Sequence, residues 1–207
     1  MVEGPLPNRA ASALIVVDMQ NGFLDPAGSC VRAGFPAGVL APALEPCQRA
    51  VKTARDAGVP IIFTRYTYRA DFGDGGFMLQ EKFPILSTVD ALIVGSWDHA
   101  VVAELNPDPA DYVVDKNRPS AFLGTPLESY LSGLGVTEVV VCGVTTNCCV
   151  ETTVRDAAQR DLRTFVLTDA VAEWEPERHN CALRSMEMLF AHGLTTAQLE
   201  SAWMPHK

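Results

Sequence analysis

The stretch Glu138 to Val144, EVVVCGV, is an apolar, β-branched run that lacks the polar alternation of a half-solvated strand. A strand of this kind is buried on both faces, which is the habit of parallel sheets covered by helices on either side. Ala13 to Met19 (ALIVVDM) has the same character, and Pro60 to Arg65, Asp111 to Lys116 and Arg163 to Ala170 read as further strands. Helical periodicity fills the gaps between them. Leu44, Ala50, Val51 and Ala54 line one face of a helix over 41–57 that Gly58 stops. Further helices are expected over 126–134, ended by Gly135, from Val150 onward, and over 176–191. Strand and helix alternate throughout, so the fold class is α/β: a three-layer, Rossmann-like fold with a mostly parallel central sheet. No repeat or linker interrupts the chain, and residues 1–207 read as one domain.

Some segments are less regular. Residues 20–35 form a loop rich in Gly, Asp, Pro and Ser, and Trp97 to Leu105 is expected as a short helix. Residues 66–90 mix aromatics, glycine and charge without a period, with a short helix expected near Met78 to Lys82. Such a loop is either a binding lid or a plain surface excursion. Thr195 to Trp203 closes the chain as an edge strand or a helical turn.

With 207 residues, 48% of them hydrophobic and 20% charged, the chain can bury a substantial core. Its net charge of −9 argues against a nucleic-acid partner, which needs basic patches. No apolar stretch is long enough to span a membrane, and the first residues lack a signal peptide's charged start and apolar centre. A cytoplasmic location is expected, with the cysteines at 30, 47, 142, 148, 149 and 181 reduced. Cys148 and Cys149 are sequence neighbours, poorly placed to bridge each other.

Those two cysteines follow the Glu138 strand. Gly143 to Asn147 makes a tight turn, and Val150, Val154, Ala157, Ala158 and Leu162 recur at helical spacing beyond it. The turn therefore delivers a thiol to a helix start, where unpaired N–H groups and the helix dipole are expected to lower its pKa and to hold an oxyanion. The bland alternative is two small buried thiols. In parallel sheets ligands bind beyond the carboxyl ends of the strands. Asp18 follows the first strand there and Lys116 the DYVVD strand. If those strands are neighbours, an acid, a cation and a thiol converge. Asp18 would take the thiol proton and pass it to a leaving nitrogen, and Lys116 would hold the negative charge in place. Turn N–H groups would bind the tetrahedral intermediate. The reaction class is hydrolysis of a C–N amide bond. There is no G-x-S-x-G, H-E-x-x-H or G-x-x-x-x-G-K-[ST] motif. The histidines at 99, 179, 192 and 206 end no strand; a Cys–His pair with His99 or His179 stays open, though both read as surface residues.

Three motifs in order, VVDMQNGF with Asp18, DKNRPSAF with Lys116 and CGVTTNCCVETTVRDA with the cysteines, resemble the isochorismatase-like cysteine hydrolases over nearly the whole chain. The family pattern places the nucleophile six residues after the glycine, which selects Cys149 and leaves Cys148 as an accessory or core thiol. The resemblance implies a cis peptide between Val144 and Thr145, with the N–H groups of Thr145 and Cys149 as oxyanion hole. It implies no cofactor, and no metal, because TRYTYRADFGDGG lacks the histidines of the nicotinamidase branch. It implies a dimer or tetramer whose neighbours close the site. The cysteine favours the amidohydrolase branch, acting on small carbamoyl or ureido compounds; a vinyl ether hydrolase and a non-catalytic small-molecule-binding relative are the alternatives. Phe23, five residues after Asp18, is expected against the substrate. Asn147 and Arg69 are candidates to bind a carbonyl or carboxylate. Trp97 and Phe122 either wall the cleft or pack in the core.

Overall fold

The computed structural model describes residues 4–204; the flanking residues, among them His206, lie outside it. Six parallel strands form one sheet: β1 (Ser12–Val17), β2 (Ile61–Tyr66), β3 (Tyr112–Lys116), β4 (Glu138–Val144), β5 (Arg163–Ala172) and β6 (His192–Leu194), in the order β3-β2-β1-β4-β5-β6. The main helices are α1 (Leu44–Ala57), α2 (Leu127–Gly133), α3 (Glu151–Ala158), α4 (Pro176–Leu189) and α5 (Thr196–Trp203).

Strand alternation divides the core into two layers. Ile15, Val17, Ile62, Val139 and Val141 face one side, where they meet α2, α3 and α4 through Leu127, Val154 and Met186. Leu14, Val16, Phe63, Val140 and Phe165 face the other, packed against Ala50 and Ala54 of α1 and Leu199 and Trp203 of α5. α1 ends where the sequence says, with Gly58 in the left-handed conformation at φ 68°. α5 is held by a capping box between Thr195 and Gln198, which decides for helix over strand at the chain's end.

Two expectations are corrected. Residues 97–105 are not a helix; only Ala103–Leu105 forms a single 3₁₀ turn, because Val101 instead bridges to Gln20. β5 outruns its expected end at Ala170. Val141 pairs with Val166 while Gly143 pairs with Val171, so a large bulge separates two paired stretches of one strand. The bulge throws out Asp169, whose carboxylate accepts the Thr196 N–H at 2.9 Å. The strand then resumes and carries Glu173 and Trp174 past the sheet's carboxyl edge.

The order 3-2-1-4-5-6 reverses direction between β1 and β4, which opens a crevice at their carboxyl ends. Gly143 sits opposite Val17 at that crevice. Its φ is +114°, and a Cβ there would run into the Val17 backbone. Gly143→Ala is therefore expected to destabilise the fold by about 1–3 kcal/mol from backbone strain alone. Urea unfolding of the variant checks this; an unchanged midpoint would contradict it.

Candidate active site

β1 ends at Val17 and the chain turns sharply through Asp18, whose φ of +50° lies in the left-handed region that Asp tolerates. Its N–H is held by Thr64 of β2, through the carbonyl at 3.2 Å and the hydroxyl at 3.1 Å. The same hydroxyl donates to Asp18 Oδ1 at 2.6 Å. Lys116 Nζ donates to the other oxygen, Oδ2, at 2.6 Å, and both side chains are wholly buried. β3 is not a neighbour of β1, so the lysine reaches past β2. The Tyr66 ring lies under the ammonium, 4.5 Å from Nζ, and the Arg118 carbonyl accepts from it at 3.2 Å. Burial pushes the Lys116 pKa down, but Asp18 and Cys149 pull harder and the net shift is upward, so the side chain is an ammonium at neutral pH.

Beyond β4 the Val144–Thr145 peptide is cis, and Thr146–Val150 forms a wide π-type turn that runs directly into α3. The Thr145 carbonyl accepts the N–H groups of Cys148 and Val150 at 3.2 and 3.1 Å, which fixes the turn. Cys149 is buried within reach of Lys116, and Cys148 is half-buried beside it. The expected low thiol pKa is not what this geometry gives. A hydrogen bond with Cys148 and burial raise the Cys149 thiol well above its ordinary value, Asp18 adds to the rise, and Lys116 opposes it. Cys148 moves the other way, lowered by the same hydrogen bond. The rise comes first from the Cys148 hydrogen bond and next from desolvation of a sulfur sunk below the turn, and neither is visible from the position of the thiol at a helix start.

Both thiols lie on the floor of a cavity of about 470 Å³, a small-molecule size. Phe23, Asn147 and Thr145 line it as the sequence suggests. Arg69 does not: its guanidinium holds the Asp71 carboxylate at 3.0 Å and points into solvent. Trp97 is an exposed surface side chain whose carbonyl accepts from Asn21 at 2.8 Å. Phe122 is buried in the core beneath Arg160, with 4.6 Å between guanidinium carbon and ring centre. Ser120 bonds Asp156 and Arg118 bonds the Asp74 carbonyl at 3.1 Å, so both brace the loops around Lys116.

Residues 66–90 contribute the cavity's roof through Tyr68, Met78, Phe83 and Leu86, with a π-type turn over Met78–Lys82. Sequence reasoning missed Tyr66 and Tyr68, although both stand at or just beyond the carboxyl end of β2 and that rule could have nominated them, and it missed Trp174, which follows the resumed part of β5. It also missed Gln20, fully buried, whose side chain bonds the Tyr66 N–H and the carbonyls of Tyr66 and His99 at 2.7 to 3.0 Å. His99 is buried rather than superficial, its Nε2 3.2 Å from Asp115 Oδ1, on the far side of β3 from the cavity residues. His179 shares a 2.9 Å hydrogen bond with Thr146 Oγ1, and burial lowers its pKa. Among the described residues no three His, Cys, Asp or Glu side chains gather as a metal site would need.

An isochorismatase-domain family model matches residues 12–198. The ureidoacrylate amidohydrolase RutB of Methylobacterium radiotolerans is 38% identical over 205 residues, covering 93% of this chain and 80% of its own length. Its counterpart in Methylorubrum extorquens strain AM1 is 36% identical over 204 residues, with 93% and 82% covered. A solved cysteine hydrolase from Pseudomonas syringae pv. phaseolicola superposes with a TM-score of 0.84 at 30% identity, over 98% of this chain and 100% of that one. The N-carbamoylsarcosine amidase of Thermoplasma acidophilum gives 0.74 at 25% identity, over 89% and 96%.

A raised thiol pKa has a direct consequence. Thiolate is the alkylated form, so without substrate Cys149 should react with iodoacetamide more slowly at pH 7 than exposed Cys181, and its rate should still be rising at pH 9. Peptide mapping after timed alkylation measures both sites; preferential labelling of Cys149 at pH 7 would contradict the assignment.

Proposed function

The chain belongs to the isochorismatase family, and from that premise we propose that it is an amidohydrolase in which Cys149 attacks the carbonyl carbon of a small carbamoyl or ureido compound and ammonia leaves. What carries the reading is the buried Asp18–Lys116 pair set beside the Cys149 thiol at the floor of a small-molecule cavity. A purely structural ion pair has no need of a nucleophile at its side. The relatives named above are a ureidoacrylate amidohydrolase and an N-carbamoylsarcosine amidase, and both names describe C–N bond hydrolysis at a carbamoyl carbon.

In the proposed sequence Asp18 takes the thiol proton as the sulfur bonds to the carbonyl carbon. The oxygen gains the negative charge, held by the N–H groups of Thr145 and Cys149. Asp18 returns the proton to the amide nitrogen, the C–N bond breaks and ammonia departs, leaving an S-thiocarbamate on Cys149 (a thioester where the substrate is a simple amide). Water then adds to the same carbon, giving its proton to Asp18. The C–S bond breaks, and the proton returns to sulfur. Lys116 stays charged throughout and keeps its position against both Asp18 and the sulfur. Phe23 and Asn147, on the cavity wall, hold the substrate in place.

The test is ammonia release from a panel of ureas, N-carbamoyl compounds and primary amides. Cys149→Ser is expected to lose at least about 10³-fold in kcat, because the hydroxyl is a far weaker nucleophile in this setting. Cys148→Ser is expected to keep measurable turnover. Turnover that survives in Cys149→Ser, or a panel on which the wild type releases no ammonia, would overturn the reading. Vinyl ether hydrolysis by Cys149→Ala would replace it with the other chemistry of the family.

A further inference from the structure

The cavity above the thiols is chemically one-sided. Phe23, Trp174, Phe35 and Phe83 form a continuous aromatic wall, with successive ring centroids 6.4, 4.3 and 6.3 Å apart. Trp174 and Phe35 stack on each other, so the slot they offer lies along their outer faces and edges. Tyr68 and Leu92 add to the apolar surface.

Two side chains of the lining carry a formal charge, Glu173 and Arg178, and they are committed to each other. Arg178 Nη2 lies 3.3 Å from Glu173 Oε1, and its Nη1 is paired with Glu175. One guanidinium therefore faces two carboxylates, so its charge is already offset before a substrate anion arrives. The Glu173 side chain is 2% exposed. Its Oε1 also accepts the Trp174 N–H at 3.0 Å, while Oε2 is buried with no hydrogen-bond partner. An orphaned acceptor is satisfied by an N–H donor and aggravated by another acceptor. A carboxylate offers only acceptors and adds like charge.

We propose that the part of the substrate beyond the reacting carbamoyl or amide group is uncharged and aromatic, seated in the Phe23–Trp174–Phe35 slot, and that Glu173 excludes ureido acids bearing a carboxylate. The proposal rests on the amidohydrolase reading but takes only the reaction from the relatives: ureidoacrylate and N-carbamoylsarcosine each carry a carboxylate, and the Glu173 side of this cavity sets the chain apart from them in substrate class. Glu173 is here a specificity residue: it does not touch the bond that breaks.

Three monosubstituted ureas separate the possibilities: benzylurea, 3-ureidopropionate and 2-aminoethylurea, neutral, anionic and cationic. Ammonia release by the wild-type protein is expected to give benzylurea a kcat/KM at least ten-fold above either charged urea, the anion because Glu173 repels it and the cation because, though Glu173 tolerates it, it has no ring to seat against the aromatic wall. Glu173→Gln removes the charge, keeps an acceptor for the Trp174 N–H, and loosens Arg178. It is expected to lower the benzylurea-to-ureidopropionate ratio at least three-fold, chiefly through KM. Wild-type turnover of either charged urea as efficient as that of benzylurea would overturn the proposal. An unmoved ratio in Glu173→Gln would remove Glu173 from it. Should no urea or amide be hydrolysed, the same three ligands are titrated calorimetrically into the wild-type protein. Binding of benzylurea at least ten-fold tighter than the charged pair would keep the slot while overturning the hydrolase reading; equal binding, or none, would overturn both.

Discussion

A carboxylate and an ammonium lie 2.6 Å apart with no solvent exposure, on strands that are not neighbours. Burying both charges is costly, and their attraction offsets the cost only if the remaining lone pairs and protons also find partners. The strand between them supplies those partners. Thr64 of β2 binds Asp18 through both its hydroxyl and its carbonyl, and Tyr66 places its ring beneath Lys116. Ile62, Thr64 and Tyr66 share one face of β2. A register slip of a single residue would send all three to the other layer and strand the pair. The register Tyr66 opposite Lys116 is thus fixed by electrostatics as well as by packing. The central sheet is built around a polar contact that it must also seal from water.

The sulfur reaches this pair by a separate route. β4 runs beside β1 with Gly143 against Val17, one residue before Asp18. Only a glycine permits that approach, and it lets the turn after β4 fold over the end of β1. The chain then goes on to α3 on one layer, while the connection after β1 leads to α1 on the other. Connections diverging to opposite layers leave the crevice between β1 and β4 uncovered, and the cavity opens there. Asp18 and Cys149 meet because of strand order, Lys116 because its side chain is long enough to pass β2.

What could be read from the sequence follows the same division. Apolar runs ending in Asp18, Lys116 and the cysteine turn mark strand ends, and strand ends of a parallel sheet share one edge. That logic needs no knowledge of side-chain direction, and the three residues it singled out do lie together in the structure. Arg69, Trp97 and Phe122 were nominated by residue type, and residue type does not say which way a loop side chain points. Arg69 found Asp71 two residues away, and Phe122 found the core. The upward shift of the Cys149 pKa was illegible for a related reason: the position of a thiol along a helix is visible in sequence, but its depth is not. Glu173 and Trp174 were hidden by the β5 bulge. RTFVLTDAVAEW reads as a strand ending at Ala170, and nothing in its composition announces that the strand resumes.

A buried thiol with a raised pKa looks ill suited to nucleophilic attack, yet the site's charge balance removes the difficulty. In the proposed reaction the proton moves from Cys149 to Asp18, so a negative charge passes from carboxylate to sulfur. Lys116 is hydrogen-bonded to Asp18 and close enough to Cys149 to feel its charge, so its ammonium faces one anion before the transfer and one after it. The net charge of the buried site does not change. Desolvation, which penalises a lone thiolate, therefore largely cancels between the two states, and what remains is the difference between two contacts with the same cation. A thiol kept protonated until the substrate is bound is shielded from stray electrophiles, because the thiolate forms only where the carbonyl carbon is already in place to receive it.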